Sequence, residues 1–195
     1  MKHTVDDNAM MQMDGHVLIR DKATGEILLN KHNAINFYNM SIAIASLLAN
    51  KTDSSNGDLG FHIATMAFGN GGTVIDGVGN VFYKEPNVGN ITDALYAETY
   101  SKDVTQGTTE NNVDVSTYEG QVYSDIIVTA TLEYAEPAGQ NTIDNDTGSG
   151  DYVFDEIALV TESGRYLTHL IFHPIEKSAN RHLEIIYTVR INAGS

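Results

Sequence analysis

Apolar positions along this chain recur mostly at every second residue. His16 to Leu29, HVLIRDKATGEILL, holds two short β-rich runs around Asp21-Lys22-Ala23-Thr24-Gly25, and Gly25 can take the positive φ that closes a tight hairpin. Between Asn39 and Ala49 the period changes. Met40, Ile44, Leu47 and Leu48 fall on one helical face there, with Asn39 as N-cap and Asn50 as stop, which predicts one short α-helix near residues 39–50. Phe61 to Phe68, FHIATMAF, alternates with both sets of side chains largely apolar, as in a strand buried on both faces and central in its sheet. Further strands are expected over 121–134, 152–161, 166–173 and 182–191. In the last of these Leu183, Ile185, Tyr187 and Val189 share one face.

Three polar stretches separate these runs. Residues 69–90 carry six glycines and read as a surface loop, because so many glycines cost much backbone entropy to order. Residues 101–120 read as a second loop with a short edge strand at Val113 to Val115, and 136–151 as a third, acidic one. The fold class is therefore mainly β, an antiparallel sheet or β-sandwich with long loops and one short helix, its last two-thirds a meander. Residues 1–14, MKHTVDDNAMMQMD, lack a period and read as a flexible N-terminal arm, leaving 15–195 as a single β-rich structural domain.

Composition narrows the function classes. Eleven Lys and Arg against 26 Asp and Glu give a formal charge of −15, which excludes the phosphate-tracking surface of a nucleic-acid binder. Cysteine is absent, so disulfides, thiolate metal sites and cysteine nucleophiles drop out together. No apolar run reaches the roughly 20 residues that span a bilayer, and the first 14 residues are polar and acidic where a secretory signal would be basic and then apolar. The expectation is a chain made in the cytoplasm with no membrane partner.

Candidate chemistry is sparse. Gly69-Asn70-Gly71-Gly72-Thr73 follows a strand but lacks the Gly-Lys-Ser/Thr ending of a P-loop and the helix that a dinucleotide fingerprint opens, so it reads as a structural turn. Asp144, Asp146 and Asp151 alternate with glycines as calcium ligands do, without the complete spacing of an EF-hand, and read as a solvated acidic loop. No histidine pair has the i, i+4 helical spacing with a Glu between, and His169 and His173, four apart on a strand, stand about 13 Å from each other. No Gly-x-Ser-x-Gly elbow is present. Asp155 and Glu156, adjacent on a strand, should point to opposite faces and form no acid-base dyad with each other or with Glu133. No enzyme, cofactor or metal function is expected.

Three segments taken in order carry a resemblance. Leu28 to Asn50, LLNKHNAINFYNMSIAIASLLAN, leads into Ile63-Ala64-Thr65-Met66-Ala67-Phe68-Gly69-Asn70-Gly71-Gly72-Thr73. Leu95-Tyr96-Ala97-Glu98-Thr99-Tyr100 follows, and then Phe154-Asp155-Glu156-Ile157-Ala158-Leu159 with Ser163-Gly164-Arg165-Tyr166-Leu167. Together they resemble the N-terminal attachment domain of tail-collar fibre proteins of tailed bacteriophages. In that family a short helix precedes a strand ending in an Ala-x-Gly-x-Gly-like turn, followed by a Leu-x-x-Glu strand, a Glu-Ile-Gly-Leu strand and an Asp-Gly-x-Leu turn. Ala158 stands where the family has glycine, and Ser163 where it often has aspartate.

The resemblance covers roughly 28–191 and implies an attachment domain standing alone, without shaft or tip. It implies a symmetric homo-oligomer, virion proteins of the tail, collar or baseplate as partners, and location in the virion. Gly69, Asn70, Gly71, Gly72, Glu156 and Gly164 are its candidate turn and interface residues. A neck or head-decoration protein is the nearest rival. From another class comes a calcium-assisted carbohydrate-binding module, with Tyr83, Tyr100 and Tyr118 stacking on sugar beside the Asp144 to Asp151 loop.

Overall fold

A computed structural model describes residues 11–134, 136–138 and 153–192. The chain opens with β1 (Gln12–Asp21) and β2 (Ile27–His32), the hairpin expected around Gly25, whose φ is +76°. Asp21 holds the turn by accepting the amides of Ala23 and Thr24 at 2.9 and 3.0 Å, bonds that keep its carboxyl below the usual range. β3 (Ala34–Ile35), α1 (Phe37–Leu48) and β4 (Ile63–Gly69) follow. Then come β5 (Thr73–Ile75), β6 (Val81–Tyr83), β7 (Glu98–Asp103), β8 (Asn112–Thr117) and β9 (Tyr123–Leu132). β10 (Val153–Thr161), β11 (Thr168–Glu176) and β12 (Leu183–Asn192) complete the fold, which is mainly β and antiparallel.

Two five-stranded sheets, ordered β2-β1-β12-β9-β8 and β3-β11-β10-β4-β7, enclose one core. From the first sheet come Val17 and Ile19, Val128 and Ala130, and the Leu183, Ile185, Tyr187 and Val189 face that the sequence pattern marks. From the second come Met66, Phe68, Ile157, Leu159, Leu170 and Phe172. The second sheet is also buried on its outer side, where Ala67, Ala158 and Val160 lie under Leu95. Small residues there let a loop close directly onto the sheet.

Several expectations change. The last two-thirds is not a meander: the chain crosses from one sheet to the other after β7, after β9 and after β11, so that β12 inserts between β1 and β9. Period-2 alternation is identical in a meander and in a sandwich, and only the requirement that each apolar face find a partner separates them. β4 lies inside its sheet between β10 and β7, with β10 at the centre. Residues 69–90 are not all loop, because they contain the separate β5–β6 hairpin. The edge strand expected at Val113 to Val115 is present as β8 and is longer. The arm shortens too, since Gln12, Met13 and Asp14 pair with Asn192, Ile191 and Arg190 as the start of β1; residues 1–10 lie outside the described residues.

The helix starts earlier than its period suggests. Asn36, not Asn39, is the N-cap, its Oδ1 accepting the Asn39 amide at 3.1 Å, while Asn39 is itself buried and donates from Nδ2 to the carbonyl of Tyr166. Met40 and Ala43 enter the core, but the last turn leaves Leu47 and Leu48 in solvent, Leu48 at 85% exposure. At the end of the sandwich beneath β9, Lys102 Nζ donates to both Glu136 carboxylate oxygens at 2.6 Å. Lys177, fully buried, donates to the Glu133 carbonyl at 2.7 Å, and burial pushes its amine down to about 8.

Candidate functional site

Five of the six residues singled out by the sequence, Gly69, Asn70, Gly71, Gly72 and Glu156, come together on the outer side of the second sheet. β10 runs beside β11 in regular register from Glu156 onward, but the pairing jumps between Phe154, opposite Ile175, and Glu156, opposite Ile171. Pro174, which has no N–H for a ladder bond, lies within the break. The irregularity overturns the expectation that Asp155 and Glu156 point apart: both carboxylates face the glycine loop after β4. Asp155 accepts the amides of Gly72 and Thr73 at 2.9 and 2.8 Å and the Thr73 hydroxyl as well.

Glu156 is the centre of the arrangement. Oε1 accepts the amides of Gly71 at 3.1 Å and Ala97 at 2.8 Å, and Oε2 accepts the Tyr96 amide at 2.9 Å and Nε2 of His169 at 3.0 Å. On the other side of the His169 ring, Nδ1 accepts the Asn87 amide at 2.8 Å, which leaves Nε2 to carry the proton given to Glu156. Glu156 and His169 have 0% and 1% exposure. Burial alone would push the Glu156 carboxyl up. The bonds from His169, Ala97, Tyr96 and Gly71 outweigh it and hold the group below the usual carboxylate range.

The glycines are explained by close approach. A Cβ on Gly69 would stand 2.4 Å from the Ala97 carbonyl and 2.5 Å from Glu156 Oε1; one on Gly71 would stand 2.8 Å from the Ala97 nitrogen. Asn70 donates its amide to that same Ala97 carbonyl at 3.1 Å. Gly164 serves elsewhere, with φ +80° in the β10–β11 turn, where its amide reaches the Thr161 carbonyl at 2.9 Å. That turn is tied down by Asn56, which donates to the Ser163 carbonyl, and by an ion pair between Arg165 and Asp53 at 2.9 Å.

These contacts define the chemistry open to the site. The amides that would cradle a phosphate already donate to the protein's own carboxylates. Both oxygens of Glu156 and both ring nitrogens of His169 are engaged and out of solvent, so the pair presents no open lone pair to a substrate. His173 is exposed and bonded through Nδ1 to the Tyr83 hydroxyl, apart from His169. Among the described residues, no group of three or more His, Asp or Glu could hold a metal ion. Asp144, Asp146 and Asp151 lie outside the described residues. Tyr83, Tyr100 and Tyr118 are not brought together: Tyr83 is on the β5–β6 hairpin, Tyr100 packs against Phe68, and Tyr118 stacks near Tyr123 on the first sheet.

Sequence reasoning weighed His169 only beside His173 and quoted Tyr96 and Ala97 only within a segment; it missed their bonds to Glu156 and the part played by Asn87. Pro174 inside an apolar run was the available signal that β10 and β11 break register near Asp155. No family model matches the chain, and neither a curated protein nor a solved structure matches it. Among the described residues no helix is long and apolar enough to cross a membrane.

Proposed function

We propose that this protein is a structural component of a tailed-bacteriophage virion, an adaptor at the tail or collar that anchors fibres or joins neighbouring subunits and carries out no catalysis. One observation supports the reading above the others. The short segments that carry the resemblance are far apart in sequence, yet they bond to one another: Gly71 to Thr73 with Asp155 and Glu156, Tyr96 and Ala97 with Glu156, and the α1 cap region with Tyr166 and Leu167. Motifs matched by chance have no reason to assemble into one hydrogen-bonded unit.

Within this reading a frame of internally satisfied carboxylates and amides holds a rigid domain, and assembly proceeds through its surface and the residues ahead of β1. Partners are other virion proteins and copies of this chain. Deleting residues 1–10 is expected to leave the melting temperature within about 2 °C of the full chain, since β1 begins at Gln12. The same deletion should lower the amount recovered in gradient-purified particles. The reading fails if the full-length chain is absent from particles of the producing lysate. A fall in melting temperature as large as that of a core substitution would show instead that the segment belongs to the folded domain.

A further inference from the structure

We propose that a second copy of this chain docks on an apolar, nearly charge-free band that follows the outer side of β11, from the start of α1 to the β5–β6 hairpin. The course of the band is set by bonds to successive parts of β11 and the turn before it. Asn36 donates its amide to the Leu167 carbonyl and its side chain to Asn90; Asn87 reaches His169; Tyr83 reaches His173. Phe37, Tyr38, Ile91, Phe82, Tyr83 and Val78 all project from these elements into solvent, Val78 with 84% exposure. With an aromatic side chain worth about 150–250 Å² and about half of each exposed, the band and its flanks leave on the order of 600–800 Å² of apolar surface in water. One partner of a standard interface contributes about 800 Å².

Charge decides the occupant. Of the chain's 37 charged residues only Asp76 falls within the 40 residues of 33–50, 69–83 and 86–92, which supply most of the band. Depletion of charge is the compositional mark of an interface core. A chain of net charge −15 repels a second copy across most of its surface, and this band, with Asp76 as the one charge inside it, is where two copies can approach facing few like charges. A basic partner would be drawn to the acidic faces, since the band offers it no counter-charge. Lys31 and Lys84, beside Glu85 and Asp93, border the band, the two lysines lying over the rings of Tyr83 and Tyr96.

The projecting hairpin is also pre-organised. Asp76 accepts the amides of Val78 and Asn80 at 2.9 and 2.8 Å and the Asn80 side chain at 2.8 Å, so its tip is fixed before any partner arrives. Docking a fixed tip loses little conformational entropy.

The surface is argued from charge and exposure, and it does not rest on the virion assignment. Sedimentation equilibrium of the full chain between about 10 and about 200 µM tests it. The average mass should exceed 21.2 kDa, rise with concentration, and rise again in about 0.5 M NaCl, because salt screens the repulsion and leaves apolar contacts in place. Phe82→Asp and Val78→Asp should each weaken association about tenfold or more, with the circular dichroism of the folded chain retained. Val122→Asp, at a 64% exposed position in the β8–β9 turn of the first sheet, should leave it unchanged. A mass of 21.2 kDa at every concentration and salt overturns the proposal. So does association that Val122→Asp disrupts as strongly, or that falls as salt rises. A monomer still found in particles removes this surface and spares the virion reading; a self-associating chain absent from particles does the reverse.

Discussion

Glutamine in place of Glu156 is expected to lower the melting temperature by about 10 °C. The carboxylate accepts four donors from three separate chain segments, and it and the His169 ring are fully buried. Glutamine keeps one acceptor oxygen and turns an NH₂ group toward donors that need an acceptor, leaving at least two of them unpaired. Unpaired buried donors facing a lost charge cost about 3–5 kcal/mol in total, and each kcal/mol moves the midpoint of a chain this size by about 2–4 °C. Amide exchange should localise the effect, with Gly71, Tyr96 and Ala97 losing protection first. A drop below about 2 °C would show that the loop is held by its apolar contacts with Ala67 and Ala158 and not by the carboxylate.

The same group sets a pH dependence with a definite sign. Its folded pKa lies below its unfolded value, so its contribution is present above the ordinary carboxylate range and is lost as pH falls through the lower folded value. Asp125 behaves alike: the bond from Arg190 outweighs its burial, and the guanidinium grips both its oxygens at 2.7 and 2.8 Å. The stability gap between the natural chain and Glu156→Gln should therefore be constant near neutrality and narrow on acidification below about pH 4.

The second large effect separates glycines that sequence alone treats as equal. Gly69→Ala is expected to cost about 3 kcal/mol, because its Cβ would lie 2.4 Å from a main-chain carbonyl fixed by the Asn70 amide and 2.5 Å from Glu156. Neither neighbour is the free end of a flexible side chain. Gly77→Ala in the same glycine-rich stretch meets nothing within 4 Å and has no positive φ, so its stability should change by less than about 1 kcal/mol, in the stabilising direction. Urea midpoints of the two variants check this directly. Equal losses would mean that glycine is required along the whole stretch for flexibility, with no role for close approach at Gly69.

What the sequence pattern conveys, and what it withholds, follows from the range of the forces involved. The Asp21 to Gly25 hairpin and the buried face of β12 are legible because turn chemistry and period-2 alternation act within a few residues. The helix boundary is displaced because Phe37 and Tyr38 are exposed apolar residues at its start, while Leu47 and Leu48 extend an apolar face past the core. The β5–β6 hairpin is hidden by its shortness and by glycines on either side. The glycine loop is legible as a turn, but its reason for being glycine is not. That reason is the close approach of the Tyr96–Ala97 segment and of the Glu156 carboxylate, which lie far along the chain. The Glu156 and His169 pair needs the register of β10 against β11, and the irregular pairing at Asp155 shifts that register in a way no local pattern carries.

The central claim is that the domain is a building block of a virion, and immunogold labelling of particles from the producing lysate under the electron microscope tests it most directly. A specific antibody is used, with its epitope shown to be accessible on the free protein. Label confined to the distal tail is the result this account predicts. Label below the head or over the capsid would move the chain to the neck or to decoration, contradicting the tail adaptor while keeping a structural role. No label on any intact particle would contradict the account as a whole.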